Sequence, residues 1–139
     1  MKLYEVKLMV DRQQEDGNVK KKTERYVVEA LDCIEAQSRV IEEQEGFLCP
    51  GGEMEIVAVS LTMLQDVYGQ ESDVYYKAKV AIITIDERTA KEKETNTLYL
   101  INADDFDEAK RILQTEIDKW AVDAVIKDIS ETKYLELYK

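Results

Sequence analysis

Histidine is missing from all 139 residues. Its absence removes the Ser-His-acid and Cys-His nucleophile arrangements, and most zinc sites, in one step. Proline occurs once and glycine five times, so no stretch has linker-like or low-complexity composition. A Gly-rich phosphate loop is also lacking, because Gly51-Gly52 follows Pro50 and precedes a strand-like segment instead of a helix. No apolar run approaches the roughly 18–20 residues needed to cross a bilayer. The opening segment from Met1 to Lys7 alternates charged and apolar residues and has no signal-peptide core. The expectation is a cytoplasmic protein with no membrane association. Cys33 and Cys49 suit that compartment without a disulfide.

What is present is an ordinary globular composition, 45% hydrophobic and 35% charged. The net charge is −11, and residues 1–70 carry 8 basic against 14 acidic side chains while residues 71–139 carry 11 against 16. Acidity of −6 and −5 in the two halves is a distributed solubilising charge that repels bulk nucleic acid and anionic membranes.

The chain matches itself. Tyr26-Val27-Val28-Glu29-Ala30 followed by Asp32, Glu35 and Ala36 lies over Tyr99-Leu100-Ile101-Asn102-Ala103 followed by Asp105, Glu108 and Ala109. Outward from there Tyr4 and Lys7 fall on Tyr76 and Lys79, and Phe47 falls on Trp120. Ile56, Ser60, Thr62 and Tyr68 fall on Ile126, Ser130, Thr132 and Tyr138. An ordered series of this kind predicts a tandem duplication.

Each copy predicts a ββαβ unit. Tyr4, Val6, Leu8 and Val10 alternate with polar residues, as a half-buried strand does. Asp16-Gly17-Asn18 is hairpin chemistry, and a second strand is expected from Val19 to Glu29. Asp32 and Glu35 have capping-box spacing for a helix to about Glu45, with Cys33, Ala36, Val40 and Ile41 on its apolar stripe. A third strand is expected from Met54 to Met63. In the second copy Tyr76, Ala78, Val80, Ile82 and Thr84 form a strand face, and Phe106, Ala109, Leu113, Ile117 and Trp120 form the helix stripe. Ile82, Ile83 and Ile85 point to a central strand covered on both faces. The expected fold is α+β: six principal strands in an antiparallel-rich sheet, two helices on one face, and a single domain over residues 1–139 made of repeats at about 1–70 and 71–139.

Candidate chemistry is sparse. The cluster Asn102, Asp104, Asp105, Asp107 and Glu108 lacks the glycine and distant bidentate Glu of a calcium loop. Capping and the helix dipole account for it better, so neither metal nor cofactor is expected. Cys33, in a first helical turn, is expected to be buried and inert. An intact helix would hold it about 20 Å from Cys49, too far for a disulfide. Two features suggest contacts. Lys20, Lys21, Lys22 and Arg25 form a basic hairpin that protects an edge strand or grips phosphates, with Tyr4, Tyr75 and Tyr76 stacking on bases if they face outward. Tyr134, Leu135, Leu137 and Tyr138 form an apolar tail that docks on its own sheet or on a second subunit.

The framework motifs Tyr4-Glu5-Val6-Lys7, Tyr26-Val27-Val28-Glu29-Ala30, Tyr76-Lys77-Ala78-Lys79 and Ser130-Glu131-Thr132 resemble an uncharacterised family of small proteins. It is a domain of unknown function from Bacteroides-type gut bacteria and their mobile elements. The resemblance covers nearly the whole chain and implies no catalytic residues. Together these readings favour a non-catalytic protein-interaction or assembly module, with weak homodimerisation through a sheet edge or the tail. Single-stranded nucleic-acid binding through the basic hairpin is the alternative.

Overall fold

The computed structural model describes residues 2–69 and 71–139. Strands β1 (Lys2–Gln13) and β2 (Val19–Ala30) pair antiparallel from Lys2↔Ala30 to Gln13↔Val19. Their turn closes where Gly17 takes φ +84°, a left-handed conformation natural to glycine, and where Asp16 accepts from the Asn18 amide at 2.9 Å. Asp32 stands extended before α1 (Cys33–Glu45) and accepts from the Glu35 amide at 2.8 Å, as its spacing predicts. Strand β3 (Met54–Leu61) then returns antiparallel to β1. The expected strand to Met63 stops at Leu61, and β4 (Leu64–Gly69) begins after Thr62 and Met63.

The second half repeats these elements as β5 (Tyr75–Ile85), β6 (Glu92–Asn102), α2 (Phe106–Ile117), β7 (Asp123–Glu131) and β8 (Tyr134–Tyr138). Asp105 caps α2 by accepting from the Glu108 amide at 2.8 Å.

The strands form two sheets of four, ordered β3-β1-β2-β8 and β4-β6-β5-β7, where one sheet of six principal strands was expected. Each helix packs on its own sheet, α1 on β1, β2 and β3, and α2 on β4, β6 and β7. The chain accordingly divides into unit 1 (Met1–Thr62 with Lys133–Lys139) and unit 2 (Met63–Thr132). Each half of the chain gives its last strand to the other half's sheet. β8 joins β2 and β4 joins β6, both in parallel. Alternation patterns fix which residues face a core but not which sheet a strand enters, so the apolar endings at 64–69 and 134–138 carry no local sign of the exchange.

Unit 1 buries Tyr4, Val6, Leu8, Val10, Tyr26, Val28 and Ala30 beneath Ala36 and Val40 of α1. Unit 2 buries Tyr76, Ala78, Val80, Tyr99, Ile101 and Ala103 beneath Ala109, Leu113 and Ile117 of α2. Each large aliphatic side chain so buried contributes roughly 1.5–3 kcal/mol. The sheets share their irregularities. Register shifts fall between Lys7 and Leu8 and between Lys79 and Val80, and again between Arg25 and Tyr26 and between Leu64 and Asp66. The chain leaves each unit at a threonine. The Thr62 amide and hydroxyl donate to the Leu3 carbonyl at 2.9 and 2.8 Å, and those of Thr132 donate to the Tyr75 carbonyl at 2.9 and 2.7 Å.

Two expectations need correction. Ile85 is 68% exposed, because β5 lies between β6 and β7 but outruns β7, whose pairing ends at Ile83↔Asp123. Cys33 is exposed because the buried stripe of α1 runs through Ala36, Val40 and Gln44 instead. Tyr4, Tyr75 and Tyr76 face inward, with 5–7% exposure.

Candidate interaction site

Below the last turn of α1, unit 1 places polar groups at a position where its sheet would otherwise be apolar. Arg12 near the end of β1 and Glu24 on β2 form a two-pronged pair, Nε to Oε2 at 3.2 Å and Nη2 to Oε1 at 2.8 Å. The Tyr26 hydroxyl donates to the same Glu24 Oε1 at 2.7 Å. Gln44, only 7% exposed on α1, accepts from Arg12 Nη2 at 2.7 Å and donates to the Tyr138 hydroxyl at 2.6 Å. Arg12 Nη1 donates to the Phe47 carbonyl at 3.1 Å. The Tyr26 and Tyr138 rings stack at 5.7 Å, so β2, α1 and β8 meet in one network.

The electrostatics follow from this geometry. Burial pushes the Glu24 carboxyl up, but hydrogen bonds from Arg12 and Tyr26 more than offset it and hold the group below the usual carboxylate range. Burial and then the Glu24 hydrogen bond raise the Tyr26 hydroxyl. Burial raises Tyr138 too, against a lowering contribution from Gln44. A general base is poised near neutral pH. Glu24 is pulled the other way and has both oxygens engaged.

Beside it lies an open depression of about 320 Å³ between Arg12, Gln44, Phe47, Leu135 and Tyr138. Phe47 is 74% exposed at its rim. The corresponding positions in unit 2 are aromatic and apolar. Tyr68 of β4 stacks on Tyr99 at 5.5 Å, Trp120 packs on Tyr99 at 5.5 Å, and Ile117 stands where unit 1 has Gln44.

The basic hairpin does not make one patch. Tyr26 and Val28 belong to the helix-side core, so strand alternation sends Lys20 and Lys22 to that face and Lys21 and Arg25 to the other. Arg25 is moreover paired with Glu5 at 2.8 Å. Tyr4, Tyr75 and Tyr76 are buried, so the condition on which they would stack on bases, that they face outward, is not met. The tail residues are strand β8. Tyr134 donates to Glu5 at 3.2 Å, Tyr138 joins the Tyr26 stack, Leu137 is half-buried beside Val27, and Leu135 is 49% exposed at the register shift. The tail docks within the chain, on the sheet of the other half.

Cys33 and Cys49 are free thiols. In the acidic cluster, Asn102 clips the preceding loop, accepting from the Ser72 amide and donating to the Ser72 and Val74 carbonyls, all at 2.8 Å. Asp104 accepts from the Ser72 hydroxyl at 2.7 Å. Among the described residues no three His, Cys, Asp or Glu side chains converge as metal ligands. Among them, too, no helix is long and apolar enough to cross a membrane.

The sequence reading missed Arg12, Glu24 and Gln44. The available signal was Gln44 aligning with Ile117, a polar residue on the core stripe of one copy alone. No curated protein and no solved structure matches the chain. A family model described as a domain of unknown function (DUF4494) matches residues 2–139, and the chain belongs to that family.

Proposed function

We propose that this chain is a non-catalytic interaction and assembly module of the cytoplasm, a tandem duplication of one ββαβ unit folding as a single cooperative domain. The gut-bacterial origin implied by the resemblance belongs to the same reading. Matching strand orders, register shifts, capping aspartates and threonine contacts support the duplication.

One observation carries the interaction reading. On two like scaffolds, unit 2 closes its end with Trp120, whereas unit 1 leaves Phe47 74% exposed beside a 320 Å³ depression with a satisfied polar floor. An exposed aromatic at the rim of a partly polar hollow is typical of a protein contact surface. The partner is a protein surface, and a second copy of the chain is its simplest form. Sedimentation velocity from about 1 to about 300 μM tests this, a range that brackets weak association. The wild-type average mass should rise with concentration while Phe47→Ser stays monomeric. A wild type that stays monomeric throughout ends the self-association version. The basic-hairpin alternative has no comparable observation in its favour.

A further inference from the structure

Chain length keeps β4 and β8 from the open edges of β2 and β6 in their own halves. In unit 1 the free place beside β2 lies three strand positions from β3, across β1 and β2, a distance of about 14 Å. Leu61 and Leu64 are separated by Thr62 and Met63 alone, so their Cα atoms reach at most about 11 Å apart. Direction makes the move harder still. β3 and β1 are antiparallel, β1 and β2 are antiparallel, and the place beside β2 is filled by a parallel strand. A strand from the same half entering there would run parallel to β3, which requires a crossover of a dozen or more residues. The same holds in unit 2, where β7 sits at the far edge from β4 and only Thr132 and Lys133 precede β8. Neither half can fill that edge with its own last strand.

We propose that the edge of β2 in unit 1 is a strand-acceptor site that takes β8 from a second copy of this chain as well as from its own. The trans complex repeats the pairings Tyr26↔Glu136, Val27↔Leu137 and Val28↔Tyr138, the stacking of Tyr138 on Tyr26, and the Gln44 hydrogen bond. It adds no contact and loses none within the unit, so the choice between own and foreign strand is set by effective concentration. A short connection gives the chain's own strand an advantage on the order of millimolar. Trans exchange therefore grows when chains fold together at high concentration, and it persists on dilution because leaving requires the sheet to open. The inference goes beyond the Phe47 surface: it shares Gln44 and Tyr138 with the depression there but does not involve Phe47 itself.

The test uses full-length chains carrying Phe47→Ser, which removes surface association, and Cys33→Ser with Cys49→Ser. One chain carries Val27→Cys and the other Leu137→Cys, at facing positions on β2 and β8 close enough for a disulfide. The two are unfolded in denaturant, mixed, refolded together at about 1 μM or about 500 μM, concentrations well below and near the local advantage, and oxidised. The expected result is a covalent dimer whose yield rises steeply with refolding concentration and which native mixing does not produce. A single chain carrying both cysteines should close its bridge internally and certify the geometry. No covalent dimer at either concentration, with that internal bridge formed, overturns the proposal. If the internal bridge fails, size decides. The Phe47→Ser chain refolded at high concentration and then diluted should retain a dimer by sedimentation, and a purely monomeric product overturns the proposal equally.

Discussion

Units 1 and 2 share a strand order, two register shifts, an aspartate cap and a threonine at each exit, yet they finish the helix end of the sheet in opposite ways. Unit 1 uses Arg12, Glu24 and Gln44, with Phe47 turned outward. Unit 2 has Thr84, Thr97 and Ile117 at those positions, with Trp120 packed inward. The scaffold tolerates both because each is internally complete. Among the described residues, every buried side-chain polar atom has a partner, so the polar version avoids the penalty of an unpaired buried group. Folding alone does not require Phe47 to be exposed, and the proposed contact surface rests on that difference.

The largest expected effect lies at the exchanged strands. Gly69 ends β4 at φ +106°, and a Cβ there would come within 2.1 Å of the Asn102 carbonyl oxygen. Unit 1 has no glycine at the matching place, where Lys139 stands. Gly69→Ala should cost about 4 kcal/mol or more, measured by urea unfolding, since both the backbone conformation and the close approach forbid it. A cost below about 1 kcal/mol would mean that β4 can be repositioned freely.

The aromatic pair separates the units next. Trp120→Ala should destabilise by about 3 kcal/mol, as a partly buried indole does, whereas Phe47→Ala should change stability by less than about 0.5 kcal/mol. Equal losses would place Phe47 in the core after all. Polar contacts come third. Arg12→Ala leaves Glu24 and Gln44 without their shared donor and should cost about 3 kcal/mol, against about 0.5 kcal/mol or less for Thr84→Ala. Comparable values would show that the unit 1 network is ornamental.

The smallest difference between the units is expected at high pH. Burial, then Asp66, pushes the Tyr68 hydroxyl of unit 2 up to about 12, and burial, then Glu5, pushes the Tyr134 hydroxyl of unit 1 up to about 12. Both groups favour the neutral form when folded. Their contribution is therefore fully present below pH about 10, the ordinary tyrosine value, and is lost as pH rises through about 12. Urea midpoints should fall across that window, and Tyr134→Phe or Tyr68→Phe should each flatten the fall to a similar degree. A midpoint that is flat to pH 12 would contradict the burial of both hydroxyls.

Much of this was legible in the sequence. Period-two alternation located β1 and β5, the Asp-x-x-Glu spacing located both helix starts, and Asp16-Gly17-Asn18 located the first turn. Local signals failed where the answer depended on distant partners. Thr62 and Met63 interrupt an apolar run too briefly to register as a change of sheet, and only the span from β3 to the far edge of its own sheet shows that β4 must leave. Tyr4, Tyr75 and Tyr76 carry a hydroxyl that suits either environment, so their burial follows from packing. Gln44 is a polar residue on the buried stripe of α1, and its role appears only once Arg12 and Tyr138 come to meet it.

Mutual completion of the two halves is tested most directly by amide hydrogen exchange on the full chain carrying Trp120→Ala. This substitution weakens unit 2 alone. If the units unfold as one cooperative body, the slowest amides of both, near Val28 in unit 1 and Ile101 in unit 2, should accelerate by the same factor, on the order of 100-fold for a loss of about 3 kcal/mol. Acceleration confined to β5 and β6, with β1 and β2 protected as in the wild type, would contradict it.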